Sequence, residues 1–265
     1  MPEKTITLRL NEGDTAIIRT AKQREAYCHR RVKQDGRLHE GKFTFADLQH
    51  LATVTLSVDP VHLGYLLVIQ TYIDYETGIL VSGRQKRHMT RPDLRDVLKL
   101  SRPTFNALYA NLERHGIICE DAEGRICVNE TYHFRGTALG RDRLIKLYDV
   151  RIRKLRDTAK AVKQLGYLYR VLPYVHFRDN VLCWNPAEPD PDKIQAINKS
   201  ALAAIMGVDV KTSYRLIKTL MVDDLYVFAE VTSGRDSTFI IVNPWICNRG
   251  DYPITLDSIF RCKIA

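Results

Sequence analysis

No stretch of this 265-residue chain approaches the roughly 20 consecutive apolar residues that a helix needs to cross a bilayer. The opening, Met1-Pro2-Glu3-Lys4, is polar and lacks the apolar segment of a secretory signal. The expectation is a protein that stays in the cytoplasm and has no membrane partner. Cysteine is sparse and scattered: Cys28, Cys119, Cys127, Cys183, Cys247 and Cys262 form no CxxC, and the eight histidines form no HExxH. Reduced thiols, no metal site and no cofactor are therefore expected. Also missing are a Walker motif, a GxGxxG, a GxSxG and any carboxylate cluster resembling a two-metal nuclease site. Tyr27 with His29 and Arg30 brings a hydroxyl near basic side chains, a combination that arises freely at this density of Tyr and Arg. The chain reads as a non-enzyme.

What it does carry is positive charge. Lys plus Arg number 40 against 31 Asp plus Glu, a formal net charge of +9. Such an excess draws a protein toward a polyanion before any specific contact forms, although ribosomal and membrane-surface proteins carry it too. With 45% hydrophobic residues, the length suffices for one large core or for two to three smaller ones.

The most informative pattern is an internal repeat. Leu63-Gly64-Tyr65-Leu66, then Tyr72-Ile73-Asp74-Tyr75 and Ile79-Leu80, return at an offset of 102 as Leu165-Gly166-Tyr167-Leu168, Tyr174-Val175-His176-Phe177 and Val181-Leu182. At an offset of 108, residues 90–118 lie over residues 198–226, placing Leu94 on Leu202, Val97 on Ile205, Leu108 on Leu216 and Leu112 on Leu220. At 114, Ile126-Cys127-Val128-Asn129 through Arg135-Gly136 matches Ile240-Ile241-Val242-Asn243 through Arg249-Gly250. The offset grows only between blocks, which assigns the insertions to loops. The order helix, strand, helix, helix, hairpin therefore occurs twice.

Thr90 with Asp93 has the spacing of a capping box, Pro92 is tolerable in a first turn, and Leu94, Val97 and Leu98 make one apolar face. Ser101 suits the N-cap of a second helix, with Phe105, Leu108 and Leu112 at helical spacing and Gly116 as its stop. Two helices this close match a helix-turn-helix. Apolar residues 117–119 and 125–128 flank the polar 120–124, and residues 225–229 and 239–242 flank 232–236, so each helix pair precedes a hairpin. The second of these wings is longer and more polar. The expected fold is α+β and mainly helical: two tandem winged helix-turn-helix modules joined by a basic helical linker, with a small N-terminal β-containing extension.

The major groove admits an α-helix and shows a distinct pattern for each base pair, and the second helix of such a pair is the one that enters it. Setting aside positions expected to be buried leaves Arg102, Thr104, Asn106, Tyr109 and Arg114 in the first copy. The second leaves Lys211, Thr212, Tyr214, Arg215 and Lys218. Arg125 and Arg235 each follow a wing glycine, Gly124 and Gly234, from which an arginine can enter the minor groove or touch phosphate. Each cation is also consistent with an ordinary solvated side chain, and Tyr109 and Tyr214 with the edge of a core.

Five segments follow: an N-terminal extension (1–56) with a β-hairpin at 5–19 and a basic stretch at 22–37, a first module (57–136), a basic linker (137–163), a second module (164–250) and a tail (251–265). Phe45, Leu48 and Leu51 suggest a short helix leading into the first module. The linker reads as a helix, and Arg151, Lys154 and Arg156 are its candidates for lying along the phosphate backbone or, equally, for a solvated face. The acidic, proline-marked residues 187–192 are expected to face away from DNA.

The run Ser101-Arg102-Pro103-Thr104 through Leu112-Glu113-Arg114-His115-Gly116-Ile117-Ile118, closed by Val128-Asn129 and Phe134-Arg135-Gly136, resembles the winged-helix replication proteins of Firmicute plasmids and related phage proteins. That family shows Ser-Arg-x-Thr where the recognition helix starts, Leu-Glu-x-x-Gly-Ile where it ends, and Asn-Pro and Lys-Gly after the wing. Val242-Asn243-Pro244 matches this ending, whereas Glu130 replaces the proline in the first copy. Asp209 stands where Ser101 does, and arginine replaces lysine before both final glycines. The resemblance covers roughly residues 60–136 and 165–250 and implies double-stranded DNA recognition through residues 101–115 and 209–223. The resulting expectation is a sequence-specific double-stranded DNA-binding protein, a monomer or homodimer associated with nucleoid or plasmid. A bacterial or phage transcriptional regulator is the first reading. A replication initiator binding origin repeats is the alternative, and a winged-helix protein-interaction scaffold is a third.

Overall fold

The computed structural model describes residues 41–138, 140–141, 143–233 and 237–250. The expected hairpin at 5–19, the basic stretch at 22–37 and the tail at 251–265 lie outside the described residues. Those described form a mixed α+β, predominantly helical fold with several small antiparallel sheets.

Strand β1 (Phe43–Asp47) runs straight into helix α1 (Leu48–Ser57), because the Asp47 side chain accepts from the backbone amides of Gln49 and His50 and so caps the helix. Asp59 and Pro60 open α2 (Pro60–Ile69) in the same way. A short hairpin of β2 (Val81–Ser82) and β3 (Arg87–His88) leads to α3 (Arg91–Leu98) and α4 (Arg102–Arg114). Then β4 (Ile118–Glu120) pairs with β5 (Ile126–Val128), and β6 (His133–Phe134) closes the first half.

The second half repeats the series with β7 (Leu144–Tyr148), α5 (Asp149–Thr158), α6 (Lys163–Val171), α7 (Lys199–Met206) and α8 (Val210–Thr219). A small hairpin, β8 (Met221–Val222) with β9 (Leu225–Tyr226), precedes a longer one, β10 (Phe228–Ser233) with β11 (Ser237–Val242), and β12 (Cys247–Asn248) ends it.

Two expectations are corrected here. Phe45 lies in a strand rather than a helix: burial alternates along β1, with Thr44 and Ala46 inward, and the helix begins only after the Asp47 cap. The segment 137–163 is not one helix. Leu144-Ile145-Lys146-Leu147-Tyr148 pairs with β1 along its whole length, and its apolar residues are buried there. Of the nine cations in that segment, four, Arg151, Arg153, Lys154 and Arg156, belong to α5.

Equivalent residues of the two halves make equivalent bonds. The Leu80 N–H donates to Ile126 O at 2.8 Å and the Val128 N–H to Gly78 O at 2.9 Å, as Leu182 does to Ile240 at 2.8 Å and Val242 to Asn180 at 3.0 Å. Asn129 and Asn243 do one job. Each side-chain amide donates at 2.9 Å to the carbonyl that starts its hairpin, Gly116 O or Tyr226 O, and each side-chain oxygen accepts the amide two residues on at 3.0 Å. The Val-Asn pattern after each hairpin is thus a structural tie.

These bonds also adjust the repeat. Tyr226 is the counterpart of Gly116, not of Ile118, because the second half inserts the β8–β9 turn. There Asp223 and Asp224 both take positive φ, 47° and 61°, as a two-residue primed hairpin turn requires.

An approximate two-fold axis relates the halves. β1 and β7 lie antiparallel at the centre of a four-stranded sheet of order β12-β7-β1-β6, with Phe45 facing Lys146. β6 sits on β1 as β12 sits on β7: Phe45 pairs with Phe134, and Lys146 with Asn248. Helices α2 and α6 cross at a glycine from each. A Cβ added to Gly64 would strike the carbonyl oxygen of Val162, and one added to Gly166 would strike that of Pro60. Since Val162 is the counterpart of Pro60, these are one contact seen from both sides of the axis.

One large apolar core, including Leu63, Leu66, Leu165 and Leu168, spans both halves, with a small second cluster at Val181, Ala229 and Ile241. Across it His133 and Tyr169, both fully buried, share a 2.7 Å hydrogen bond, and burial lowers the His133 pKa to about 3, keeping the ring neutral. Nearby, buried Asp149 pairs with Arg135 and accepts from the Thr44 hydroxyl at 3.2 Å. Its pKa is nevertheless pushed up to about 6 because desolvation outweighs the pull of Arg135.

Candidate nucleic-acid interface

The two close helix pairs are built by local chemistry that the sequence spells out. The Thr90 and Asp93 capping box starts α3, Lys99 ends it in the left-handed region at φ 56°, and Ser101 caps α4. In the second half the Asn198 side chain accepts the Ala201 amide at 2.8 Å to start α7, Gly207 ends it at φ 71°, and Asp209 accepts the Thr212 amide at 2.8 Å to cap α8. Asp209 therefore does the capping work of Ser101. Phe105, Leu108 and Leu112 bury one face of α4, as Ser213, Leu216 and Ile217 do for α8.

The opposite face of α4 presents Arg102, Thr104, Asn106 and Arg114 to solvent. Among the described residues the side chains of Arg102 and Asn106 have no hydrogen-bond or ion-pair partner, while the Thr104 hydroxyl lies 2.9 Å from that of the Ser101 cap. Tyr109 is a correction. It is 3% exposed, packs against Phe105 with centroids 5.7 Å apart, and lies under the Arg91 guanidinium at 4.1 Å. One residue beyond Leu108, it falls on the inward arc of the helix, and Arg91 of α3 seals it from solvent. The Arg91 lid was missed because nothing local in the sequence joins residues 91 and 109.

Helix α8 exposes Lys211, Tyr214, Arg215 and Lys218. Lys211 and Arg215 have no side-chain partner among the described residues. Lys218 lies 3.4 Å from Glu230 of β10, and Lys199 of α7 lies 2.5 Å from the same carboxyl group. Their ammonium groups also flank the Tyr214 ring, at 5.4 Å and 4.8 Å. Hydrogen bonding to Lys199, first, holds the Glu230 carboxylate below its usual range. Lys199 and Glu230 were not among the sequence candidates, although the repeat places Lys199 on Arg91, and Arg91 pairs with Glu120 as Lys199 does with Glu230. Thr212 is half-buried and donates its hydroxyl to Asp209 Oδ2 at 2.7 Å, which makes it part of the cap.

No family model matches this chain, and no characterised protein or solved structure is significantly similar to it.

The remaining cations fare differently from expectation. Arg125 is tied into its own hairpin turn, 2.6 Å from Asp121 and 2.7 Å from Glu123, so two carboxylates already surround the charge that was expected to reach a groove. Arg235 lies outside the described residues. Arg151 and Lys154 converge on Asp223 in the β8–β9 turn, Lys154 at 2.7 Å. Arg156 donates to Leu98 O at 2.7 Å and so satisfies a carbonyl at the C-terminal end of α3. These three side chains tie α5 to both halves instead of forming a free basic track.

Two clefts occupy equivalent places around the axis. One, of about 360 Å³, is lined by Tyr72, Arg135, Asp149 and Arg153; the other, of about 630 Å³, by Tyr174, Arg249, Leu48 and Ala52, with half-exposed Trp184 at its edge. At counterpart positions Asp149 and Arg153 of the smaller cleft stand where Leu48 and Ala52 line the larger. Among the described residues no cluster of His, Cys, Asp and Glu could hold a metal ion, and no helix is long and apolar enough to cross a membrane.

Proposed function

We propose that each half is a winged helix-turn-helix module and that the chain is a sequence-specific double-stranded DNA-binding protein reading with α4 and α8. The element order supports the modules: a helix, a short strand residue paired to the wing through Leu80 or Leu182, two close helices and a hairpin. The observation that carries the function is the set of exposed, unengaged side chains on these second helices, Arg102 and Asn106 on α4 and Lys211 and Arg215 on α8, in a chain of net charge +9. Cations that the fold does not neutralise are free to meet phosphates. Arginine can bond guanine, and asparagine adenine, through two contacts each.

The role we favour is transcriptional regulation at an operator. The resemblance of residues 101–118 to plasmid replication proteins favours a replication initiator as the second reading. Selection of bound genomic fragments, followed by footprinting at fixed salt, tests both. One promoter-proximal site indicates a regulator, and clustered repeats beside an origin indicate an initiator. On the selected site Arg102→Ala and Arg215→Ala should each lose about 1–3 kcal/mol, roughly 5- to 150-fold, with little change on random DNA. An unchanged ratio of specific to random affinity would refute base reading by these helices.

A further inference from the structure

The two-fold relation of the halves constrains the DNA site itself, given the DNA-binding reading above. We infer that a single chain reads an inverted arrangement of two half-sites, one by α4 and the other by α8. An operation that carries one reading helix onto the other must carry its half-site onto the other half-site. The two-fold axes of a duplex run perpendicular to its length, so half-sites related in this way run in opposite directions along it.

The axis is built into the covalent chain and the core. The five residue pairs between β1 and β7 fix it, as do the reciprocal contacts of Gly64 with Val162 and Gly166 with Pro60. No loose tether allows the second module to turn and read in the same direction as the first.

The half-sites are unlike in sequence because the readers are unlike. At counterpart positions α4 presents Arg102, Pro103, Asn106 and Ala107 where α8 presents Val210, Lys211, Tyr214 and Arg215, all exposed. A natural site therefore looks asymmetric, and its hidden inversion appears only when the readers are made alike.

The test is selection from a random duplex library with the wild-type chain and with the graft Val210→Arg, Lys211→Pro, Tyr214→Asn, Arg215→Ala. The reverse graft on α4, Arg102→Val, Pro103→Lys, Asn106→Tyr, Ala107→Arg, serves as a second variant, and circular dichroism checks that both fold. The expected result is an asymmetric site for wild type and a palindrome for each graft. Each graft should bind its palindrome at least about tenfold more tightly than the same half-sites placed as a direct repeat, since misorienting one reader removes a whole half-site. Selection of direct repeats by the grafts would overturn the inverted arrangement while leaving DNA binding intact. A site unchanged by either graft would overturn the assignment of α4 and α8 as readers. Failure of the wild-type chain to enrich any duplex would overturn the DNA-binding reading beneath it.

Discussion

Gly166→Ala isolates the contact that joins the two halves. In an exposed helix this change is favourable by about 1 kcal/mol, because alanine restricts the unfolded chain and suits helical backbone. In α6 the new methyl group would meet the carbonyl oxygen of Pro60, a backbone atom that cannot swing aside as a side-chain end can. Relief requires α2 and α6 to separate along a crossing that buries Leu63, Leu66, Leu165 and Leu168. Overpacking of a well-filled core costs roughly 1–3 kcal/mol and sometimes more. Rigid backbone on both sides puts this site at the upper end, so a net loss of about 2 kcal/mol is expected after the helical gain. At a urea dependence of about 2 kcal/mol per molar, the midpoint followed by far-ultraviolet circular dichroism should fall by about 1 M. Gly64→Ala, which meets Val162 O across the axis, should behave alike. A midpoint at or above wild type for both would show that the helices do not cross closely here, and the two-fold packing argument would fail with it.

The two asparagine ties should differ in weight. Asn243 is fully buried, so Asn243→Ala removes a buried amide and its bond to the Tyr226 carbonyl and should cost about 1–3 kcal/mol, whereas exposed Asn129→Ala should cost under about 1 kcal/mol. Thermal unfolding that ranks them in the other order would contradict the assignment. His133 gives a pH dependence of known sign. Its folded pKa of about 3 lies below the ordinary 6.5, so the unfolded chain takes up a proton first as pH falls. Its contribution to stability is complete above about pH 6.5 and is lost at about 1.4 kcal/mol per unit on the way down to about pH 3. His133→Phe should therefore lose less between about pH 7 and about pH 5 than wild type in urea titrations, and equal losses would exclude a buried neutral ring.

Much of the local structure was legible because it depends on neighbours in sequence. Caps at Thr90 and Ser101 precede apolar residues at helical spacing, and the repeat of Leu-Gly-Tyr-Leu pointed to paired helices before their packing was visible. The strand at Leu144–Tyr148 was hidden because its flanks are rich in cations, and charge spacing says little about a short strand whose partner lies a hundred residues upstream. Tyr109 was misplaced and the ion pairs of Arg125 were missed for a related reason. Exposure was inferred from helical position and from a glycine, but Arg91 covers the first and Asp121 engages the second.

By itself the sequence determined the charge, the duplicated order of helices and hairpins, and the caps and turns that begin and end them, since each is an interaction between residues a few positions apart. Only the tertiary structure decided that the halves share one core about a two-fold axis. It also decided that Arg151 and Lys154 pair with Asp223 and Arg156 with the Leu98 carbonyl, while Lys211 and Arg215 remain exposed and unengaged. Pairing between distant residues follows from how apolar faces and carbonyl groups meet in three dimensions, and no spacing along the chain records that.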